Sequence, residues 1–484
     1  MSRAKHDVPG GRWAWFTPQR LVVIALMLGL LLRFLCLGSK SIWLDEVLSV
    51  RAARAELGAF ASGSVERYHP PLFFLILKGF MRLGTDEALL RLPAAIGGSA
   101  AVLLIYVLSR SLFDMATAVS ATWFAALAPL LVWYSQEVRG YSLIVMWALL
   151  ALVALAHLAL QRGAGWWLVY VAATTAGLYT HYTFVLVLLV QLLMVVGLLA
   201  AGRGTRAAPL YLAAGWLAAA VLYVPWLRTP AAGAFIDRLT SASLYYNALT
   251  AGRPELLQNV SGAALAWFLI GGGLMALGLG TWLYHRLLRR RRAWLVQVRS
   301  SPIVRGLFIG LFVLVLVVSV LPRGYTMKRY VHVLWFLVPL GFGWLWPWQP
   351  GNERLLRVLF VLSLAASLVN VLVIPKEQWR EAVDLILAQR GHADVVVLEP
   401  AYMSMPFDFY SQGRLDAVGL ASHEDVGAKM AEVEQGRERI WLVHHLADVN
   451  PAHVAGIQQW LAENAILIQS SRLYRLQLDL YTID

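Results

Sequence analysis

The sequence has almost no cysteine and little negative charge. Its single cysteine, Cys36, excludes an intramolecular disulfide and a cysteine metal cluster. Only 28 of the 484 residues are Asp or Glu, and charged residues of both signs make up 14% of the chain. Hydrophobic residues account for 59% and are gathered into long runs. The composition therefore predicts a polytopic α-helical membrane protein and not a soluble one.

The apolar runs predict eleven membrane spans, each bounded by polar or turn residues. The first run follows a basic leader but lacks a small-residue cleavage site, so it predicts an uncleaved span and not an export signal. The predicted spans lie near residues 21–37, 92–109, 116–133, 141–160, 166–180, 183–200, 209–227, 262–284, 304–321, 331–346 and 355–374.

The net charge of +13 indicates orientation in a membrane and gives no sign of nucleic-acid binding. Basic residues precede the first span and follow the second, fourth, sixth and eighth, most densely in HRLLRRRRAWLVQVR (His285 to Arg299). All of them fall on one side, which the positive-inside rule makes cytoplasmic. The N-terminus is then cytoplasmic, and the C-terminal part of the chain is extracytoplasmic.

The predicted external loop, residues 38–91, contains a carboxylate pair and a short apolar segment. Asp45 and Glu46 stand just after the first span, where acidic residues are functional candidates; an ordinary loop charge or helix cap is the alternative. Val65 to Gly84 has an apolar centre too short to span, which predicts an interfacial helix with Pro70 and Pro71 in its first turn. A re-entrant segment or twelfth span is the alternative, which the basic-residue pattern disfavours.

Three further connections on the predicted outer side are rich in polar residues: WYSQEVRGYS (Trp133 to Ser142), YTHYTF (Tyr179 to Phe184) and PRGYTMKRYVH (Pro322 to His332). Their Arg and Lys side chains could bind the phosphate of an anionic lipid, while a carboxylate removes a proton from a nucleophile. Any one of these basic residues could instead extend to lipid headgroups. As a cluster they suggest displacement at a carbon bonded to a lipid phosphate, as in sugar transfer from a polyprenyl phosphate.

Five motifs follow one another along the chain: IWLDE (Ile42 to Glu46), YHPPLFFLIL (Tyr68 to Leu77), ALLRLPAAIGG (Ala88 to Gly98), WYSQEVRGYS and YTHY (Tyr179 to Tyr182). In this order they resemble the motifs of bacterial GT-C superfamily glycosyltransferases, in the group related to protein O-mannosyltransferases and lipid A aminoarabinose transferases. KRY (Lys328 to Tyr330) and a C-terminal domain extend this resemblance to the full length.

The resemblance implies a role for each matching residue. Asp45 would be the catalytic base, and Glu46 would orient the acceptor or a metal. His69, Tyr141 and His181 are further site candidates, with packing as the alternative for the last two. The donor phosphate would be bound by Arg139, Lys328, Arg329 and Tyr330.

A divalent metal is a possible cofactor, since carboxylate and imidazole are competent ligands. Its candidate ligands are Asp45, Glu46, His69 and His181. His69 belongs to an HPP motif where aminoarabinose transferases instead carry a Glu-Lys pair, so neither their metal site nor their phosphate-binding lysine is carried over.

After residue 375 the composition changes and charges become frequent. Helical periodicity in Trp379 to Gly391 precedes an apolar strand, Ala393 to Pro400, and two more helices and a strand (RIWLVHH) follow. The alternation predicts a soluble extracytoplasmic α/β domain over 376–484 with a partly parallel sheet, after a transmembrane GT-C catalytic domain over 1–375.

The sequence thus predicts an inner-membrane glycosyltransferase with an inverting mechanism, a polyprenyl-phosphate sugar as donor and a lipid, glycan or protein as acceptor. The alternatives are a flippase or transporter of lipid-linked saccharides, and a polymerase or ligase of surface polysaccharide. A flippase needs basic residues through its membrane cavity and no external carboxylate pair, and the predicted spans carry almost no charge.

Overall fold

The computed structural model describes residues 17–65, 69–234, 332–421, 424–446 and 451–483. The chain divides into two compact units. The first contains Met1–Leu35, Ala55–Ile76 and Leu92–Val371, and the second contains Cys36–Arg54, Leu77–Arg91 and Leu372–Asp484. The second unit thus joins two pieces of the predicted external loop to the C-terminal part of the chain. The linear division at residue 375 stays a prediction.

The chain before residue 374 is helical wherever it is described in regular structure. Helix starts follow local signals: Thr17 and Asp114 each accept a hydrogen bond from a backbone N–H three residues on, as helix caps do. The helices are α1 (Pro18–Phe34), α2 (Leu44–Arg54), α3 (Leu57–Ser62), α4 (Leu72–Phe80), α5 (Glu87–Leu112), α6 (Met115–Leu127), α7 (Pro129–Ser135), α8 (Tyr141–Ala159), α9 (Trp166–Thr180), α10 (Val185–Ala200), α11 (Ala208–Leu227), α12 (Leu337–Leu345) and α13 (Glu353–Leu368).

Five helices among the described residues are long and apolar enough to cross a membrane, and a sixth span results if α6 and α7 count as one. Those two helices meet at an angle of 54°, because Pro129 cannot continue the hydrogen-bond ladder of α6. The five are Glu87–Leu112, Tyr141–Ala159, Tyr182–Leu199, Ala208–Leu227 and Glu353–Val373.

The predicted count of eleven spans is not confirmed. The predicted spans at 21–37 and 166–180 coincide with helices of 17 and 15 residues, and that at 331–346 with the shorter apolar helix His332–Leu345, none of which is among the five. Those at 262–284 and 304–321 lie outside the described residues. The segment predicted as an interfacial helix contains α4, which has 9 residues and is too short to cross. Pro70 and Pro71 precede α4 and are not in its first turn as predicted, and its place at the membrane interface stays a prediction.

Helix α8 forms the centre of the first unit. It is buried along most of its length and contacts α9, α10 and α11. Small residues bring other helices together: a Cβ on Gly343 of α12 would lie 2.6 Å from the backbone nitrogen of Ala121 on α6. Close backbone approach at small residues is the usual means of packing helices in lipid.

The second unit contains a five-stranded sheet in the order β2-β1-β3-β5-β4. Strand β1 runs parallel to β2 and β3, whereas β5 is antiparallel to β3 and β4, which confirms the predicted partly parallel sheet. The elements are α14 (Trp379–Ala388), β1 (Asp394–Glu399), α15 (Ser404–Ser411), β2 (Ala417–Gly419), α16 (Val426–Val433), β3 (Arg439–His445), α17 (Pro451–Asn464), β4 (Ala465–Leu473) and β5 (Leu476–Ile483).

Helices cover both faces of this sheet. Successive side chains of β1 point to opposite faces, and each set is part of a separate core. Val396 and Leu398 pack with residues of α14 and α15, whereas Val395 and Val397 pack with residues of α16 and α17. Trp379 and Trp441 are both fully buried in the first of these cores. Packing on the sheet therefore fixes α14, and Arg380 and Glu381 lie on the other side of this helix.

Candidate active site

The first unit contains a cleft lined by four residues that the sequence predicts as site residues: His69, Arg139, Tyr141 and His181. The four side chains come from three stretches far apart in the chain: the segment before α4, the start of α8 with the link before it, and the residue after α9. The fold therefore brings these predicted residues together.

The start of α8 forms one wall of the cleft. Arg139 and Gly140 directly precede Tyr141, the first residue of α8. A Cβ on Gly140 would lie 3.2 Å from Thr180 Cγ2 and 3.3 Å from Phe73, so glycine permits this close approach. The first N–H groups of a helix lack intrahelical acceptors and carry partial positive charge. With the Arg139 guanidinium, they make this end of the cleft suited to an anion such as phosphate.

The proton on the His181 ring can be placed from its contacts. Its Nδ1 accepts a hydrogen bond from the backbone N–H of Thr183 at 3.2 Å. Because a backbone N–H only donates, Nδ1 is unprotonated and the neutral ring carries its proton on Nε2. Burial, and then the neighbouring His69, His332 and Arg139, hold the pKa of His181 well below its ordinary value. His181 is therefore an uncharged donor.

His332 is a cleft neighbour that sequence reasoning missed. Its ring centroid is 4.3 Å from that of Tyr141 and 5.6 Å from that of His181, which in turn is 5.0 Å from His69. His332 ends the polar connection PRGYTMKRYVH, but the predicted tenth span included it as an ordinary span residue. The polar neighbours just before it were the available signal.

Three of the predicted phosphate-binding residues, Lys328, Arg329 and Tyr330, lie outside the described residues. Arg139 is the one member of that predicted set whose surroundings the structure describes.

In the second unit, Asp45 and Glu46 occupy the first turn of α2. Successive residues of a helix point about 100° apart, so the two carboxylates have different environments. Glu46 is fully buried and Asp45 is half-buried. Asp45 is thus the carboxylate that solvent or a substrate can approach, as a general base requires.

Glu46 is the anion of a buried ion network. Its Oε1 accepts hydrogen bonds from Arg91 Nε at 2.9 Å and Lys376 Nζ at 3.0 Å, and its Oε2 accepts one from Arg91 Nη2 at 2.9 Å. Arg91 also donates to the backbone oxygens of Leu37, Lys40 and Ser41, at 2.9, 2.8 and 3.0 Å. Protein cations therefore occupy both Glu46 oxygens, and they hold the start of α2 in place.

Arg91 and Lys376 are members of this network that the sequence did not assign. Arg91 is the arginine of the RLP motif, and its position in the first turns of an apolar helix was the available signal. Lys40 lies beside the network, and burial, followed by the charges of Lys376 and Arg91, lowers its pKa to about 7.

The predicted divalent metal would need ligands among the side chains present. Within the described ranges, no three His, Cys, Asp or Glu side chains are arranged to hold a metal ion. The Glu46 oxygens already accept three hydrogen bonds from cations, so Glu46 does not fit as a ligand. A site through Asp45 or His69 stays a prediction, and no step below is routed through a metal.

One known protein family matches part of the chain. Residues 68–228, a third of the chain, match the family described as dolichyl-phosphate-mannose-protein mannosyltransferase. All four predicted residues of the cleft lie within this match. No curated protein sequence matches the chain significantly.

Among solved structures, the fold is similar to that of ArnT from Cupriavidus metallidurans in the apo state, with 17% identity, 96% of this chain and 98% of that chain covered, and a TM-score of 0.51. ArnT bound to undecaprenyl phosphate also matches, with 16% identity, 97% and 98% coverage and a TM-score of 0.47. The oligosaccharyltransferase AglB from Archaeoglobus fulgidus, solved with an inhibitory peptide and a dolichol-phosphate, matches with 10% identity, 94% and 73% coverage and a TM-score of 0.49.

The family match and the similarity to the fold of apo ArnT confirm the resemblance to GT-C glycosyltransferases related to mannosyltransferases and ArnT. The family match and the apolar helices together support a multi-pass membrane glycosyltransferase.

Proposed function

We propose that the chain transfers a sugar from a polyprenyl-phosphate donor to a hydroxyl of an acceptor on the extracytoplasmic side of the inner membrane, with inversion at the anomeric carbon. Asp45 is the general base. Arg139 binds the donor phosphate, together with Lys328, Arg329 and Tyr330. The N-terminus is cytoplasmic, and the α/β domain is periplasmic.

The observation that carries this proposal is the cleft at the start of α8. Arg139 and the helix N-terminus supply positive charge, and His181 supplies a neutral donor through Nε2. A phosphate monoester leaving group develops negative charge as its bond to the sugar breaks, so fixed donors there lower the barrier. The cleft lies within the match to a family whose description names a dolichyl-phosphate sugar.

The reaction needs few groups. Asp45 takes the proton of the acceptor hydroxyl, and the acceptor oxygen attacks the anomeric carbon from the face opposite the phosphate. The bond between that carbon and the phosphate oxygen breaks, and its electron pair leaves with the polyprenyl phosphate. Asp45, now neutral, returns the proton to solvent. A base within hydrogen-bond reach contributes about 10²–10⁴-fold in such reactions.

The test is sugar transfer by membranes that contain the chain, supplied with radiolabelled polyprenyl-phosphate sugars. Arg139→Gln should raise the KM for donor strongly, because it removes the charge that binds phosphate. Arg139→Lys should have an intermediate KM, because it keeps the charge but loses the two-point geometry. Arg228→Gln is the matched control, since Arg228 is an exposed arginine of the same unit and does not line the cleft.

Two results would contradict the proposal. If Arg139→Gln and Arg228→Gln have the same donor KM as the native chain, the cleft does not bind the donor phosphate. If none of the donors is used but a lipid-linked saccharide changes leaflet in proteoliposomes, the chain is a flippase.

A further inference from the structure

We propose that three residues of the C-terminal segment, Lys376, Arg380 and Tyr410, position Asp45 for catalysis. We call them the loop clamp. The α/β domain would then be part of the catalytic apparatus, in addition to any role in choosing the acceptor. This inference rests on the proposed function of Asp45 as base. All the contacts involved lie within the second unit.

Lys376 binds next to the base itself. Its Nζ lies 3.0 Å from Oε1 of Glu46, the residue after Asp45, and the two side chains are 5% and 0% exposed. A buried ion pair of this kind is costly to distort, because either charge alone would be desolvated without compensation. Lys376 therefore fixes the rotation of α2 about its axis, which decides where the Asp45 carboxylate points.

Arg380 binds the irregular segment that leads into α2. Its Nη2 donates to the backbone oxygen of Ser39 at 2.8 Å, and its Nη1 donates to Glu87 at 3.0 Å. The next residue, Glu381, accepts a hydrogen bond from the Ser41 hydroxyl. Arg380 and Glu381 are on the side of α14 away from its buried residue Trp379, so the domain core holds them facing the loop.

Tyr410 joins the two loop segments. Its hydroxyl accepts a hydrogen bond from the backbone N–H of Ile42 at 2.6 Å and donates one to Glu87 Oε1 at 3.0 Å. Ile42 is two residues before α2, and Glu87 is the first residue of α5. One phenol group thus ties the entry of α2 to the start of a long apolar helix.

The clamp is needed because α2 cannot position a carboxylate on its own. It has 11 residues, and an isolated helix of that length is marginal in water. A general base must be held within about 0.5 Å of its productive position, and a displacement of about 1 Å can reduce the rate a hundredfold. The three clamp residues bind at Ser39, Ile42 and Glu46, all within six residues of Asp45.

The variants Tyr410→Phe and Lys376→Met test the clamp. Each should lower kcat by about tenfold or more and leave the donor KM unchanged, because the donor-binding cleft keeps its residues. Lys376→Arg should restore most of the activity of Lys376→Met, since it keeps the charge. The control is Arg439→Met, which breaks a two-point pair with Asp394 in the same unit and touches no loop residue. It should keep the native kcat.

A double variant separates positioning from general destabilisation. In an Asp45→Asn background, Tyr410→Phe should lower kcat no further, because there is no base left to position. Hydrogen exchange of residues 37–54 should rise in Tyr410→Phe, whether or not a donor has been identified. If the native chain transfers sugar and Tyr410→Phe changes neither kcat nor the exchange of residues 37–54, the clamp is wrong and the proposed function stands. If exchange rises in Tyr410→Phe but the native chain transfers no sugar, the proposed function is wrong, and the catalytic role of the clamp is wrong with it.

Discussion

Replacing Glu46 by glutamine should loosen the start of α2 more than any other single isosteric change in the loop. Glutamine keeps the size of the side chain but removes its charge. The carboxylate now receives three hydrogen bonds from Arg91 and Lys376, at 2.9, 2.9 and 3.0 Å, and none of the three side chains is more than 5% exposed. In the variant, two buried cations share one amide oxygen.

The magnitude follows from the partners that remain. Removing one member of a buried ion pair costs about 3–5 kcal/mol. The lower end applies here, because Arg91 keeps the backbone oxygens of Leu37, Lys40 and Ser41 as acceptors. Lys376→Met removes one charged hydrogen bond and leaves the two-point Arg91–Glu46 pair, so it should cost about 1.5–3 kcal/mol.

Hydrogen exchange read by mass spectrometry measures this locally, over residues 37–54. A loss of about 3 kcal/mol corresponds to exchange roughly a hundredfold faster, at about 1.4 kcal/mol per factor of ten. Asp394→Asn is the control: it should loosen the pair with Arg439 and leave the loop protected. If Glu46→Gln exchanges less than threefold faster, or if Lys376→Met loosens the loop more than Glu46→Gln does, the network does not hold α2 as described.

Three further results are expected. Gly343→Ala should lower the free energy of unfolding by about 1–3 kcal/mol, because its Cβ would lie 2.6 Å from a backbone atom. Gly197→Ala should leave that free energy unchanged or raise it, because no described atom lies within 4 Å of its Cβ. Lys40 should be acylated with a midpoint near pH 7, far below that of Lys429, whose pKa is raised by Glu432. The folded-state pKa of Lys40 is lowered from 10.5 to about 7, so between pH 7 and pH 10.5 the unfolded chain binds more protons than the folded one. The contribution of Lys40 to the free energy of unfolding therefore rises with pH across that window. His181→Asn, which keeps a neutral donor and an acceptor, should retain more sugar transfer than His181→Leu.

The sequence could predict the cleft because motif residues at the ends of apolar runs must meet at one membrane surface. His69, Arg139, Tyr141 and His181 each stand at such an end, and all four line the cleft. His332 was missed because it stands just inside a predicted span, where an apolar count treats it as a span residue.

The partners of Glu46 could not be predicted from the sequence. Lys376 is 330 residues away in the chain, and no periodicity or spacing connects the two. A buried carboxylate needs cations, but the sequence offers 41 Lys and Arg residues as candidates, and only the packed loop selects among them. The different burial of Asp45 and Glu46 depends likewise on how α2 is rotated against its neighbours, which two adjacent letters of the sequence do not show.

The predicted fold was similarly limited by local signals. Helical periodicity and the apolar run RIWLVHH were enough for α14, β1, α16, β3 and α17. Strand β4 was missed because it begins at Ala465, directly after α17 ends at Asn464, with no turn residues to separate them. The bend between α6 and α7 was missed although Pro129 was visible, because one apolar run covers both helices.

The most direct test of the account is sugar transfer by Asp45→Asn in membranes supplied with radiolabelled polyprenyl-phosphate sugars. The substitution keeps the shape of the side chain and removes the base, so the protein should insert and bind donor as before. We expect transfer to fall by a factor of the order of a hundred or more, with the donor KM unchanged. Transfer at the native rate by Asp45→Asn would show that Asp45 is structural, and the proposed mechanism would be wrong.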